Sequence, residues 1–281
     1  MATEFDNRRC WGPEPHYPKV LAFGKEPPNP SNLEQKPPFN ARSPIILAGP
    51  CSIESSAQIE EIAKEISKCN ITFMRGGVFR AGTYPPKEYG LKQDLLKAWR
   101  EIASNYSLKI VVEVLDYRQL ELLDQYADCF QVGARACQNY QLLVELSNQN
   151  KPVTLKRHPG ISLDEFLGAC EYLLSGRGHP YPILIERGSV SHSKHVRWAL
   201  DVSMIAAIKR MTKIPILVDA SHASGRRDLV EPLTLAGLAA GADGFLVEVH
   251  PNPQESISDA DQAISIEDFN GLMEKIERMK R

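Results

Sequence analysis

Residues 214–250 read IPILVDASHASGRRDLVEPLTLAGLAAGADGFLVEVH and contain one whole structural unit. A short apolar run at 215–219 precedes a segment at 228–240 whose apolar positions recur at helical spacing, and a second apolar run follows at 244–248. Strand, helix and strand in that order are the repeating unit of a parallel sheet covered by helices.

Outward from this unit the same alternation extends back to Pro44. Candidate strands lie at 45–48, 71–75, 109–113, 128–132, 152–156, 182–186, 215–219 and 244–248. Candidate helices lie near 55–68, 91–105, 117–125, 138–149, 162–175, 196–210, 228–240 and 265–279. Eight strand–helix repeats predict an α/β fold, a closed (β/α)8 TIM barrel, with a doubly wound open sheet as the alternative. Ser162 ahead of Leu163-Asp164-Glu165 has the form of a capping box, which supports the helix that follows. A barrel places its reactive groups in the loops after the strand C-termini.

The chain has 281 residues, 43% of them hydrophobic, enough for one large core. The expected division is a proline-rich N-terminal extension over 1–43 and a catalytic barrel over 44–281. The extension holds WGPEPHYP, KEPPNP and QKPPF and shows no sustained periodicity. Its Trp11, Tyr17, Val20, Leu21 and Phe23 either dock on the barrel or another subunit, or belong to a disordered tail. A net charge of −2 gives no electrostatic case for nucleic acid or an anionic membrane as partner, and favours small-molecule chemistry. Six cysteines without a CxxC pair fit a reducing compartment. With neither a signal-type apolar stretch nor a spanning helix, a cytoplasmic location is expected.

Reading only the strand ends collects Cys51, Arg75, Arg80, Glu113, Arg135, Lys156, Arg157, Glu186, Arg187, Asp219, His222, Glu248 and His250, with Asp259 shortly beyond. Cys51, His222, Glu248 and Asp259 would suit a borderline divalent ion, Mn, Fe, Co or Zn, better than Ca or Mg. For each of the four taken alone, packing or solvation is the competing reading. Arg75, Arg135, Lys156 and Arg187 supply more positive charge than one carboxylate requires, so the expected ligand is a small, multiply anionic phosphate ester. Glycines in RGG (75–77), ERG (186–188) and ASGRRD (223–228) either let backbone approach that ligand or serve ordinary turns.

The set AGPCSIES, RGGVFR, VVEVLD, QVGARACQN, PVTLKR, IERG, VDASHASGRRD and GFLVEVHPNP followed by SISD covers residues 44 to 280 in order. It resembles 3-deoxy-7-phosphoheptulonate (DAHP) synthase of type I beta, together with the related 3-deoxy-octulosonate 8-phosphate synthases. The resemblance implies a metal-dependent barrel enzyme of aromatic amino acid biosynthesis. It would condense phosphoenolpyruvate with an aldose phosphate, by default erythrose 4-phosphate, and release phosphate. It implies Cys51, His222, Glu248 and Asp259 as metal ligands, and Cys51, Glu113, Lys156 and His222 as catalytic residues. Arg75, Arg80, Thr83, Arg135, Lys156 and Arg187 are implied as substrate-binding residues, with Glu113 and Lys156 handling protons or orienting water. Metal-independent octulosonate synthases carry Asn where Cys51 stands, so this chain is expected to need its metal. A homo-oligomer, dimer or tetramer, is also implied.

Departures from the pattern fall on the acceptor side. Where heptulosonate synthases read Lys-Pro-Arg-Thr-Ser, this chain has Arg80-Ala81-Gly82-Thr83-Tyr84, with Gly82 in place of the Arg that holds the acceptor phosphate. His158-Pro159-Gly160 and Ser189 to His195 are unusual as well. Drift in loops is one reading; a different aldose acceptor is the other, and a catalytically silent binding subunit is a third. An extension of 43 residues is too short for a feedback domain, so no domain-mediated inhibition is expected.

Overall fold

The structure, a computed structural model, describes residues 43–79, 93–192 and 194–279. Within them eight parallel strands close into a barrel: β1 (Ile45–Gly49), β2 (Phe73–Gly76), β3 (Lys109–Val114), β4 (Cys129–Val132), β5 (Val153–Lys156), β6 (Pro182–Glu186), β7 (Ile216–Asp219) and β8 (Gly244–Glu248). Closure runs from Ile45 opposite Gly244 to Gly49 opposite Glu248, which rules out the open-sheet alternative.

The helices pack outside: α1 (Ser56–Ile66), α2 (Gln93–Asn105), α3 (Leu120–Asp124), α4 (Tyr140–Ser147), α5 (Leu163–Leu174), α6 (Val202–Met211), α7 (Ala220–Ser224), α8 (Arg227–Ala239) and α9 (Ile266–Met279). Their apolar faces explain their placement. In α2 the buried positions are Leu96, Trp99 and Ala103, and in α9 they are Phe269, Leu272, Met273 and Ile276, spacings of three and four that put them on one side of each helix. The Ser162 capping box is formed in both directions with Glu165.

Two apolar layers result. One lies between sheet and helices; the other fills the barrel with Ile45, Leu47, Phe73, Val111, Cys129, Ile183, Ile185, Leu217 and Leu246. Side chains alternate across a strand, so the residue two positions beyond an inward apolar residue also points inward. That step leads from Phe73 to Arg75, Val111 to Glu113, Cys129 to Gln131, Ile185 to Arg187, Leu217 to Asp219 and Leu246 to Glu248. The barrel interior therefore changes from apolar to polar, and mostly charged, within one step at its C-terminal mouth.

Two local readings are corrected. The helix expected at 196–210 begins only at Val202, because Asp201 caps it by accepting from the Met204 N–H. Arg197 and Trp198 lie instead in a bend, their N–H groups donating to Ser224 and Ala223 carbonyls at 2.8 Å each. The segment at 117–125 divides into a 3-10 turn, Tyr117–Gln119, capped by Asp116, followed by α3. The short helix α7 is not among the expected elements; on it Asp219 caps the turn carrying His222. The extension over 1–42 lies outside the described residues. Among those described, no helix is long and apolar enough to cross a membrane.

Candidate active site

At the C-terminal mouth lies a cavity of about 480 Å³. Cys51, Arg75, Glu113, Arg135, Lys156, Arg187, His222 and Asp259 all line it, and Glu248 is buried beneath. Arg80 and Thr83, with Gly82, lie outside the described residues.

Ligand atoms of Cys51, Glu248 and Asp259 fall within 4.8 Å of one another. His222 Nε2 approaches Glu248 Oε1 at 3.3 Å, and the Cys51 thiol donates to Asp259 Oδ2 at 3.1 Å. On its other side, His222 Nδ1 lies 3.0 Å from Asp219 Oδ1 and 2.8 Å from Oδ2. A carboxylate only accepts, so the Asp219 contact calls for a proton on Nδ1; with a cation between the ring and Glu248, Nε2 would offer its lone pair, the tautomer a metal-ligating histidine needs. Burial, then the Glu248 charge, pushes the Cys51 thiol well above its ordinary pKa, although Arg75 opposes this. A protonated thiol wedged against two carboxylates is the situation a dication would reverse, releasing the thiol proton. The donor set therefore fits a borderline divalent ion.

Buried ion pairs hold the surrounding charges. Arg75 Nη1 donates to the Pro50 carbonyl at 2.7 Å and to Glu248 Oε1 at 3.1 Å. Lys156 Nζ lies 3.1 Å from Asp219 Oδ2. Burial works against the Asp219 charge, but His222 and Lys156 outweigh it and hold this carboxyl far below the ordinary range. Asp219 thus joins Lys156 to His222. Arg187 lies under the Trp198 ring, 5.8 Å from its centroid, and burial lowers its pKa despite Asp219. Gly188 makes that packing possible: at φ +96 it adopts a conformation that suits glycine, and a Cβ there would stand 2.6 Å from Trp198 Cβ. For Asp259, burial is opposed by His222, by the Cys51 hydrogen bond and by Arg197, leaving its pKa lowered.

Not every strand-end charge reaches the cavity. Arg157, next to inward Lys156, pairs with Glu186 Oε2 at 2.8 Å. Glu186 Oε1 accepts from the N–H groups of Gly188 at 2.7 Å and Asp201 at 3.2 Å, tying together the two ends of the β6–α6 loop. His250 faces Glu54 instead of the cavity. Two contributors escaped the sequence reading. Gln262 donates to Glu248 Oε2 at 2.6 Å, and Arg197 reaches Gln262 Oε1 at 3.3 Å and Asp259 Oδ1 at 3.4 Å. Assigning Arg197 to a helix concealed it, and Gln262 carries no signal of its own. His158 and Pro159 do line the cavity, as does Trp198.

Residues 40–281 match the model of the DAHP synthetase I family. The chain belongs to that family. Similarity to curated DAHP and octulosonate-type proteins agrees with this membership. A phospho-2-dehydro-3-deoxyheptonate aldolase of Thermotoga maritima is 40% identical over 234 residues, covering 83% of this chain and 69% of the relative. A 2-dehydro-3-deoxyphosphooctonate aldolase of Desulfotalea psychrophila is 26% identical over 255 residues, covering 84% and 89%. Among solved structures, the Thermotoga maritima DAHP synthase superposes with a TM-score of 0.80 at 38% identity, over 84% of this chain and 68% of that one. A truncated form of the Thermotoga maritima 3-deoxy-D-arabino-heptulosonate 7-phosphate synthase gives 0.77 at 38% identity, over 84% and 86%. The family expected from the motifs is the family found.

Proposed function

We propose that this DAHP synthetase I family member condenses phosphoenolpyruvate with erythrose 4-phosphate in a reaction dependent on a divalent metal, Mn, Co, Fe or Zn. The products are 3-deoxy-7-phosphoheptulonate and inorganic phosphate. The observation that carries this reading is the convergence on one barrel mouth of a thiol, an imidazole and two carboxylates with Arg135, Lys156 and Arg187.

Cys51, His222, Glu248 and Asp259 would hold the ion. When bound, it supplies Lewis-acid polarisation of the acceptor's aldehyde. Arg135, Lys156 and Arg187 hold the phosphate and carboxylate of phosphoenolpyruvate, while Arg75, already engaged by Glu248, contributes positive charge from the cavity floor. Carbon C3 of the enol phosphate bonds to the aldehyde carbon, whose C=O π bond opens onto the oxygen, which takes up a proton to become a hydroxyl, while water adds at C2. Glu113 orients that water and accepts its proton, with Lys156 beside it. The tetrahedral carbon at C2 then expels phosphate, whose charge the same cations stabilise. Arg80 and Thr83 are assigned to the acceptor. The division into an extension over 1–43 and a catalytic barrel over 44–281, a dimeric or tetrameric assembly and a cytoplasmic location complete the proposal.

A second reading keeps the chemistry and changes the aldose. His158 and Pro159 on the cavity wall favour it, as does Gly82 at the position of the family's acceptor-phosphate Arg. Phosphate release from phosphoenolpyruvate should be measured with a panel of aldoses, with and without chelator. Turnover with erythrose 4-phosphate supports the first reading, turnover with another sugar alone supports the second, and none with any sugar leaves a silent binding subunit. Full activity after chelation, with no response to added Mn or Zn, would end the metal assignment.

A further inference from the structure

Asp259 stands at φ +54, one of two non-glycine residues in the left-handed region among those described. Such a conformation is unfavourable for an L-residue, and persists only where the surroundings over-determine it. The Asp259 carbonyl accepts from the N–H groups of Gln262 and Ala263 on its C-terminal side, and a single side chain outside the metal cluster ties down the segment on its N-terminal side. Glu54 Oε1 accepts from the Ile257 N–H at 3.0 Å and from the Ser256 hydroxyl at 3.5 Å. His250 Nε2 lies 3.4 Å from the same oxygen. Its Nδ1 accepts from the Asn252 N–H at 3.0 Å, which fixes the ring within the same segment.

Glu54 is itself anchored. It follows Cys51 by three positions, and its N–H donates to the buried Gln58 side chain at 3.0 Å. One carboxylate oxygen therefore joins the loop carrying Cys51 to three points of the segment carrying Asp259. A further tie, Ser258 Oγ to Ser52 Oγ at 2.8 Å, runs between the same two loops.

We propose that Glu54 is a positioning residue for Asp259: it holds the 250–259 segment in the strained form that brings the Asp259 carboxylate beside Cys51. The inference rests on the metal-centre reading given above, and Glu54 acts through the backbone of the segment without touching the cluster. Its requirement is an acceptor oxygen at the right reach. Glu54→Gln keeps that oxygen; Glu54→Leu removes it, and Glu54→Asp withdraws it by one methylene.

The test is Co(II) binding to the full chain after chelation. Affinity is read by competition with a chromophoric chelator, and the site by its thiolate-to-cobalt absorption. Glu54→Leu should weaken binding about 10- to 100-fold, the usual effect of losing a partner that orients a ligand. The metal-free protein should keep its thermal midpoint. Glu54→Gln should bind like the wild type, and Glu54→Asp, the variant to use if Glu54→Leu does not fold, should weaken binding as well. The proposal is overturned if Glu54→Leu and Glu54→Asp bind as tightly as the wild type, or if Glu54→Gln is as weak as Glu54→Leu. Failure of the metal centre itself is distinguishable: the wild type would then take up no Co(II), or Cys51→Ser would leave its spectrum unchanged, and the proposal would fall with it.

Discussion

Gly133→Ala isolates the position of one carboxylate. Gly133 follows β4 with φ −66 and ψ 160, a conformation alanine adopts without strain, so the backbone should not resist. The added Cβ would stand 2.1 Å from Glu113 Oε1 and 3.2 Å from its Cδ. Unstrained contacts are near 3.5 Å, so the carboxylate must retreat by more than about 1 Å. Glu113 is only half-buried and can yield by rotation, which limits the loss of stability to about 1 kcal/mol. Catalysis should suffer far more, because a misplacement of about 1 Å typically costs about 100-fold. Phosphate release under saturating phosphoenolpyruvate and acceptor gives kcat, and urea unfolding gives stability. Glu113→Gln, which leaves the shape and removes the base, should show a loss of the same order. Wild-type kcat in a Gly133→Ala protein whose Glu113 has demonstrably moved would remove Glu113 from the chemistry. A loss accompanied by unfolding would show that the glycine serves the barrel instead.

Two further changes probe the buried ion pairs. Asp219→Asn should weaken metal affinity about 10- to 100-fold, measured by chelator competition, because His222 loses the carboxylate that sets its tautomer. Asp219 has a folded pKa below its unfolded value, so the stability it contributes is present above about pH 4 and is lost as pH falls further. The asparagine variant should therefore show a shallower decline in unfolding free energy on acidification; an unchanged decline would refute the assignment. Arg157→Met should cost about 3–5 kcal/mol in urea unfolding by leaving Glu186 buried without its cation, and a variant as stable as the wild type would contradict that pairing.

The strand ends were legible in sequence because side-chain alternation and parallel pairing are local rules. An apolar run bounded by turn residues identifies a strand, and the parity of its last inward residue decides whether a charge faces the mouth. Lys156 and Arg157 show the limit: adjacent in sequence, one joins Asp219 at the cavity and the other joins Glu186 behind it. Arg197 shows another, since its helical-looking context yielded to the cap at Asp201 and to pairing with residues 223–224.

By itself, the sequence determined eight strand–helix units, a barrel, and a set of thiol, imidazole, carboxylate and cationic groups at its strand ends. Those follow from periodicity and residue chemistry, which act over a few neighbouring positions. Only the tertiary structure decided which of those groups meet. Cys51 reaches Asp259 across 208 positions and Arg75 reaches Glu248 across 173, contacts that exist because β8 closes against β1. Closure also selected Gln262, Arg197 and Glu54 as supports. Nothing local marks such residues, because their partners are supplied by other loops of the ring.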